Sequence, residues 1–342
     1  SRLFRLTYSL LFVASMATPR MGPWRFVLIQ AALAMGAAAL RSRATTAARG
    51  KIFLLMLADD RIELEQIWVN FLAPAVHGVD YRVFLHCQNP LLCLQNVKRR
   101  DLFTMVPMVP SRYCSDLIGP ELALLSAAVH HSDPGNLDDK FVLVSHNSVP
   151  VKPWPVAHRI LTENLAGKAS FNIASGMQGE GGIDCGLTWH TQWWSLSYWQ
   201  AERMLAAQKP RLNCSVASCL PDVPKGCAKC LDAVWPIVSI YGLAELRNES
   251  RYPDSLVSKR VMWLDWHTKH IGKDYAQGKI RKAGHEGPWG PAQVDVASQE
   301  LLAFLAGEYQ ASAFARKFMR NTSFSGGMSL VEAFDKYVFN TA

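Results

Sequence analysis

The sequence predicts an α/β fold in which a mostly parallel sheet is flanked by helices. Two apolar runs, at residues 51–57 and 140–145, are continuous and too short for long helices, which is typical of strands buried on both faces. Helical patterns separate such runs, and this alternation favours a parallel sheet. Sheets of this kind bind ligands beyond the carboxyl ends of their strands. The polar residues that follow each run are therefore the first candidates for a site.

The first half of the body has the clearest patterns. Acids and a proline at residues 116–121 are typical of a helix start. The run at 140–145 is the most distinct strand and ends in His-Asn-Ser-Val-Pro, which gathers polar groups at its carboxyl end. The predicted elements are, in order, strand 51–57, helix 62–72, strand 81–86, strand 103–109, helix 116–131 and strand 140–145.

The pattern loosens in the second half. The block at residues 189–205 is aromatic and then helical, and its tryptophans suit either a sugar-stacking platform or core packing. A glycine-rich stretch at 176–182 lacks the spacing of a phosphate-binding loop and predicts a flexible lid at most. The remaining predicted elements are helix 156–165, strand 169–174, the aromatic segment 261–266, helix 298–306 and helix 329–337.

Residues 1–49 are predicted to be a leader with a signal anchor and a short linker, and residues 50–342 to be one folded domain. The apolar run 26–40 lies between Arg25 and Arg41 and is short for a span of about 20 residues, although Trp24 and flanking arginines can extend it. A cleaved signal peptide and an organelle transit peptide are the alternatives.

The charge distribution argues against nucleic-acid binding. The formal net charge is +8, but the first fifty residues contain seven arginines and no acid. The rest of the chain carries 29 basic and 28 acidic residues, so the body is nearly neutral. A neutral body lacks the basic surface that neutralises phosphates.

The stretch 227–236, Cys-Ala-Lys-Cys-Leu-Asp-Ala-Val-Trp-Pro, contains the first candidate for a catalytic residue. Asp232 lies among apolar residues, and burial would raise its pKa and make it a better proton acceptor near neutral pH. The alternative is a disulfide-pinned turn whose aspartate caps the next helix. Four cysteines at 214–230 could bind zinc in a reducing compartment, whereas an oxidising lumen favours disulfides.

Several stretches, taken in order, resemble the core-2/I-branching β-1,6-N-acetylglucosaminyltransferase family, in particular its plant and algal members. The resemblance covers roughly residues 50–325. The strongest matches are Phe-Val-Leu-Val-Ser-His-Asn-Ser-Val-Pro at 141–150 and Phe-Ala-Arg-Lys-Phe at 314–318. The others are 51–57, 81–86, the helix of Glu121, His-Thr-Gln-Trp-Trp-Ser-Leu at 190–196, the Cys-x-x-Cys block and Trp-Leu-Asp-Trp at 263–266.

The resemblance implies a GT-A-like, Rossmann-like fold and an inverting glycosyltransferase that uses a UDP-sugar, with N-acetylglucosamine as the expected sugar. It implies no metal cofactor, because basic side chains would neutralise the diphosphate leaving group. The expected partners are the UDP-sugar, a glycan or glycoprotein acceptor, and the Golgi membrane, in which a type II anchor would place the catalytic domain in the lumen.

The resemblance also assigns roles to individual residues. Lys317 and Arg316 would hold the departing diphosphate. Asp232 would be the general base. The remaining expected site residues are His86 and Asp59 for the donor, and Trp263, Asp265 and Glu121 for the acceptor.

The chain departs from the family pattern at several positions. Asp232 matches the family's catalytic glutamate only when the alignment is anchored on Pro236; anchored on the first aspartate, the position is Ala233. His146 and Gln88 replace expected acids. A second basic residue has no clear counterpart, with Arg281 and Lys282 as candidate substitutes. These departures leave two alternatives open: a relative that binds glycan or nucleotide without transfer, and a zinc-stabilised interaction module.

Overall fold

A seven-stranded sheet forms the centre of the fold, and two three-stranded sheets lie beside it. The computed structural model describes residues 50–111, 116–174, 188–208, 230–246, 252–264, 279–282, 292–307 and 312–340. The strands of these residues are β1 (Ile52–Ala58), β2 (Tyr81–Cys87), β3 (Phe103–Met105), β4 (Lys140–Ser145), β5 (Ser148–Pro150), β6 (Ala169–Ala174), β7 (Trp189–Leu196), β8 (Leu256–Ser258), β9 (Met262–Leu264), β10 (Lys279–Lys282), β11 (Ala292–Ala297), β12 (Phe314–Arg316) and β13 (Phe318–Phe324).

The central sheet has the order β3-β2-β1-β4-β7-β6-β8. Its first four strands are parallel, whereas β7 runs antiparallel to both β4 and β6. Strands β1 and β4 are buried along almost their whole length, as their continuous apolar runs predict. The protein is therefore an α/β fold with a mixed, largely parallel central sheet flanked by helices.

The helices lie between and beside these strands. Side-chain caps start several of them: Asn89 accepts from Leu92 N, and Ser197 and Ser329 each form a capping box. The helices of the described residues are α1 (Glu65–Leu72), α2 (Pro90–Asn96), α3 (Ile118–Val129), α4 (Trp154–His158), α5 (Tyr198–Ala206), α6 (Trp235–Tyr241), α7 (Leu243–Leu246), α8 (Gln299–Ala306) and α9 (Leu330–Phe334).

The two small sheets position the segment that contains Arg316 and Lys317. Strand β12 pairs with β5 on one side and with β9 on the other, which places Arg316 opposite both Ser148 and Leu264. The other small sheet has the order β10-β11-β13. The Phe-Ala-Arg-Lys-Phe stretch thus passes from one small sheet to the other, with Lys317 between them.

Two hydrophobic clusters hold these layers together. The larger surrounds the central sheet and includes Trp68, Phe141 and Trp194. The smaller includes Val149, Phe318 and Phe334, from β5, β13 and α9, beneath the small sheets. Burial of this much apolar surface is the main stabilising contribution to such a fold.

The structure corrects several predicted boundaries. The third strand covers only Phe103–Met105 instead of 103–109. The helix expected at 156–165 begins at Trp154 and continues as a π-helical turn at Arg159–Glu163. Helix α2 was not predicted, and its Cys93 forms a disulfide with Cys87 at the end of β2.

The leader and several predicted site segments lie outside the described residues. They include the apolar run 26–40, the glycine-rich stretch 176–182, Asp265, and the cysteines of the 214–230 cluster other than Cys230. Residues 50–342 form one compact unit. In the part of the chain that the structure describes, no helix is both long and apolar enough to cross a membrane.

Candidate functional site

A cavity of about 870 Å³ lies at the carboxyl ends of β1, β2 and β4. Strands β1 and β4 are neighbours in the sheet, but the chain leads from β1 towards β2 on one side before it returns to β4 on the other. This reversal of strand order is the position at which open α/β sheets bind their ligands. The cavity has the size of a small-molecule site.

The four residues expected to bind the donor are brought together in this cavity. Asp59 follows β1, His86 belongs to the end of β2, and Arg316 and Lys317 approach from the small sheets. More than 200 positions of sequence separate Asp59 and His86 from Arg316 and Lys317, so their convergence is a property of the fold. The cavity is also lined by Asp60, Arg61, Glu63, Gln88, Ser145, His146, Asn147, Gln192, Trp193 and Arg320.

Arg316 is held in a defined orientation. Its Nε donates to Asn147 Oδ1 at 2.8 Å, and its guanidinium lies 4.7 Å from the centre of the Trp193 ring. The Ser145 hydroxyl also donates to Asn147 Oδ1 at 2.8 Å, which orients the amide. A cation fixed by a hydrogen bond and an aromatic face loses little entropy when it binds an anion.

Lys317 is largely buried, with 7% of its surface exposed, and it lines the cavity. Its backbone carbonyl accepts from Val294 N at 2.9 Å, which ties the residue to β11. Lys317 and Arg316 are adjacent in sequence and both line the cavity, so two cationic residues contribute to its wall.

His146 and Asp59 face each other across the ends of β4 and β1. Their Nε2 and Oδ2 atoms are 3.7 Å apart. Burial lowers the pKa of His146, and the positive charge of Arg316 lowers it further, against the opposing effect of Asp59. His146 is therefore neutral at pH 7 and can accept a hydrogen bond from a ligand hydroxyl.

The acids next to Asp59 have partners of their own. Asp60 forms a two-point hydrogen-bonded ion pair with Arg61, and Glu63 accepts from the backbone of Arg320 at 3.2 Å. Burial likewise lowers the pKa of His86, whose Nε2 lies 3.1 Å from Val109 N. The cavity thus combines cations on the side of the small sheets with carboxylates beyond β1.

Asp232 is buried, and its pKa is raised. It belongs to the 3₁₀ turn Leu231–Ala233, which packs against β7, and its Oδ1 has no hydrogen-bond partner. Burial raises the pKa of Asp232 to about 6, although the nearby Arg316 charge lowers it in part. Such a carboxyl group can accept a proton near neutral pH. Asp232 does not itself line the cavity.

Glu121 is fully buried in the first turn of α3, and it does not line the cavity either. Burial and the Asp232 charge raise its pKa well above the usual value, which the nearby donors of Trp194 and Gln192 offset only in part. Neither carboxyl oxygen makes a hydrogen bond of normal geometry. The structure thus places Glu121 beside Asp232 and behind the surface of the cavity. The sequence had predicted that Glu121 would contact the acceptor.

The other expected site residues lie elsewhere. Trp263 is buried in the smaller hydrophobic cluster and is not part of the cavity lining, so little of its ring is open for stacking on a sugar. Asp265 lies outside the described residues. Arg281 and Lys282 belong to β10. Cys230 is disulfide-bonded, which leaves it no thiolate for zinc.

Sequence reasoning missed Asn147 and Gln192 as site residues, and it named Trp193 only as one of the tryptophans that suit a sugar-stacking platform or core packing. Asn147 belongs to the polar residues that follow β4, and the sequence did mark that end of the strand as a candidate for the site. The other two belong to β7, where the antiparallel return of the chain brings them beside the cavity. Among the described residues, no group of three or more His, Cys, Asp or Glu side chains is placed to hold a metal ion.

In comparisons with known proteins, no family model matches this chain, and no curated protein matches it significantly. The site must therefore be interpreted from its own chemistry. Fixed cations on one wall suit a phosphate or diphosphate group, and hydroxyl-binding groups on the other suit a sugar or ribose. Asp232, a proton acceptor near neutral pH, is buried where the charge of Arg316 acts on it.

Proposed function

We propose that this protein is an inverting glycosyltransferase that transfers a sugar, with N-acetylglucosamine as the expected one, from a UDP-sugar to a hydroxyl of a glycan or glycoprotein. The observation that carries the proposal is that Arg316 and Lys317 both line the cavity at the strand-order reversal. The charge of Arg316 also acts on the buried Asp232 carboxyl group. The resemblance of the sequence motifs supports the same reaction and the lumenal, Golgi-anchored setting.

In the proposed reaction, the acceptor hydroxyl gives its proton to the Asp232 carboxylate while its oxygen attacks the anomeric carbon. The bond between that carbon and the diphosphate oxygen breaks, and UDP leaves with the electron pair. Arg316 and Lys317 stabilise the negative charge that develops on the diphosphate. His146 and Asp59 offer hydrogen-bond partners for donor hydroxyl groups.

The mechanism requires a rearrangement near Asp232. Asp232 is only 4% exposed, so the acceptor hydroxyl reaches its carboxyl group after the residues above it have moved. Enzymes commonly complete their site by such a step when substrate binds. The proposed mechanism therefore includes a step in which binding of the acceptor orders the residues around Asp232.

The burial of Asp232 and Glu121 also favours a second candidate function, in which the protein binds a nucleotide or glycan without transfer. This candidate predicts that UDP binds while neither transfer nor donor hydrolysis occurs. Both candidates predict that UDP binds, and they differ only in whether the protein transfers the sugar or hydrolyses the donor.

The test is a screen of the purified protein with UDP-sugars and hydroxyl acceptors in the presence of a chelator. We expect transfer by the wild type, and we expect Asp232→Asn to reduce kcat by at least about a hundredfold while UDP still binds. Asp101→Asn, at an exposed ion pair with Arg99, is the matched control and should leave transfer unchanged. Unchanged turnover in Asp232→Asn would remove the base assignment, and UDP binding without any turnover would support the second candidate.

A further inference from the structure

Helix α2 carries three large apolar side chains on its outer surface. Leu91, Leu92 and Leu94 are 72%, 38% and 45% exposed, whereas Cys93 is fully buried. Residues three positions apart share a face of a helix, so Leu91 and Leu94 are neighbours on the side away from Cys93. Single exposed leucines are ordinary on a protein surface, but three within a helix of seven residues form a patch. We call these three leucines the leucine face.

The helix is held firmly, although Cys93 is its one buried residue. A disulfide joins Cys93 to Cys87 at the end of β2, and the side chain of Asn89 caps the first turn. At the other end of the helix, Asn96 Nδ2 donates to the Asp60 carbonyl at 3.1 Å. The leucine face is therefore formed before any partner binds, and binding does not have to order the helix.

Three basic residues follow the helix directly. Lys98, Arg99 and Arg100 are all exposed. Arg99 pairs with Asp101, whereas the side chains of Lys98 and Arg100 have no ion-pair partner among the described residues. The Glu65 carboxylate accepts from Lys98 N at 3.0 Å and from Arg99 N at 2.6 Å, which fixes the turn. With both acids counted, the segment still carries a net positive charge.

The leucine face and the bases lie at one edge of the central sheet. Helix α2 connects β2 to β3, and β3 is the outermost strand at that edge. Two other exposed apolar residues, Val76 and Val79, precede β2 at its opposite end. An acid, Asp80, follows them and accepts from Val76 N, and no run of bases is present there. Exposed apolar surface and positive charge thus coincide at α2.

We propose that the leucine face and the bases at 98–100 form a docking surface for an anionic lipid bilayer. The leucines insert at the boundary of headgroups and acyl chains, and Lys98 and Arg100 pair with the headgroups. A stable protein interface buries about 800 Å² on each partner, which is far more than three leucines expose. An interfacial lipid contact needs only a few apolar side chains beside basic ones. The inference does not depend on the proposed function.

Docking at this surface holds the cavity close to the bilayer. Gln88 N donates to the Ala58 carbonyl at 2.9 Å, and Asn89 N donates to the Asp59 carbonyl at 2.8 Å. Ala58, Asp59 and Gln88 all line the cavity. The start of α2 is therefore tied directly to the cavity rim, and a cavity in that position favours a ligand that the membrane itself carries.

The experiment labels the full chain with vesicles that contain a photoactivatable lipid, and mass spectrometry then locates the label. Vesicles of phosphatidylserine are compared with vesicles of phosphatidylcholine. With phosphatidylserine, residues 90–100 should carry about tenfold more label than residues 74–80, and high salt should remove most of this excess. Lys98→Glu combined with Arg100→Glu should lower the label on 90–100 by about tenfold, because two attractive charges become repulsive.

A second pair of variants tests the apolar contact. Leu91→Ser combined with Leu94→Ser should lower the label on 90–100 as strongly, because the side chains that insert are lost. Val76→Ser combined with Val79→Ser is the matched control, since it removes two exposed apolar side chains at the opposite end of β2. This control should leave the labelling unchanged.

The results that would overturn the proposal are equally defined. Equal labelling of 90–100 and 74–80 in the wild type would refute a lipid-docking surface at α2, and so would labelling that the charge reversals leave unchanged. A dimer in sedimentation without vesicles that Leu91→Ser with Leu94→Ser dissociates would show that a second copy covers the leucine face, and the lipid proposal would be wrong. The wild-type comparison needs no substitution, so it decides the question even if a variant fails to fold.

Discussion

At the scale of the residue, the unusual feature is a pair of buried carboxyl groups, Asp232 and Glu121, that influence each other. Burying a carboxylate without partners is costly, and the pKa rises until the neutral form predominates. A raised pKa in the folded state means that ionisation opposes folding. The two residues therefore lower the free energy of unfolding at neutral pH. Proteins tolerate such a loss of stability mainly at functional sites.

Asp232→Asn should stabilise the protein above pH 6. The pKa of Asp232 is about 6 in the folded protein, above its ordinary value of 3.8, so the unfolded chain loses its proton first. The free energy of unfolding of the wild type then falls by roughly 3 kcal/mol in total through this group, and most of the fall occurs between pH 4 and pH 6. We expect Asp232→Asn to be more stable than the wild type by up to about that amount at pH 7, with little difference at pH 4, in denaturant unfolding.

Glu121→Gln is the companion variant for this measurement. Because burial raises the pKa of Glu121, glutamine resembles its neutral folded form and should also stabilise the protein as pH rises above about 4. The test compares the free energy of unfolding of the wild type with that of each variant. If this difference is the same at pH 4 and at pH 7 for both variants, the raised pKa values are wrong.

At the scale of the element, the connection between β4 and β5 joins the central sheet to the small sheets. His146 lies at the end of β4, Asn147 anchors Arg316, and Ser148 pairs with Arg316 in the register of β5 and β12. The backbone carbonyl of Asn147 also accepts from Phe318 N at 2.9 Å. Three successive residues thus connect the ligand-binding end of the sheet to the cationic segment.

Asn147→Ala should weaken UDP binding by about tenfold or more. Loss of a hydrogen bond to a charged group typically costs about 1.5–3 kcal/mol, and here the loss frees Arg316 to move. Asn70→Ala is the matched control, because Asn70 also bonds to a charged side chain, Asp335, but lies away from the cavity. Titration with UDP should distinguish the two variants, and equal losses would show that Asn147 acts through stability alone.

The elements that the sequence predicts well are those with long apolar runs. Strands β1, β2, β4 and β6 were expected within one or two residues of their observed bounds. Helix α2 was missed because its exposed leucines give no amphipathic pattern. It is held by a cap, a disulfide and a hydrogen bond from Asn96 to the Asp60 carbonyl. Strands of three residues, such as β9 and β12, are too short for a periodicity to appear.

At the scale of the whole molecule, the segment that leads into β1 is tied to the interior of the domain. The Gly50 carbonyl accepts from His158 Nε2 at 2.8 Å, and Lys51 N donates to Asp139 Oδ1 at 2.7 Å. A side chain at residue 50 would collide with the backbone of Asp138, which makes glycine necessary there. The domain is thus anchored to its own interior from its first residue onward.

A chain shortened to residues 50–342 should therefore fold like the full chain. Its thermal unfolding, followed by circular dichroism, should show one transition with an unchanged midpoint, because the packing and hydrogen bonds of β1 are complete. A chain shortened further, to residues 60–342, lacks β1 at the centre of the sheet and should not fold. A loss of folding in the first case would place part of the domain in residues 1–49.

The site was predictable only in part. Asp59, His86, Arg316 and Lys317 could be named because polar residues at strand ends and a family-like motif marked them. The burial of Glu121 and Trp263 could not, because the sequence does not show which face of a short segment meets another layer. Side-chain environment depends on contacts between distant segments, such as Arg316 with Asn147.

The reversal of strand order between β1 and β4 has a consequence for how this protein can diversify. The opening exists because two backbone segments leave adjacent strands in opposite directions, whatever side chains they carry. Substitutions at the rim, such as histidine or glutamine in place of an acid, then alter which molecule is accepted and leave the opening itself in place. New ligand preferences can arise there by single substitutions, at little risk to folding.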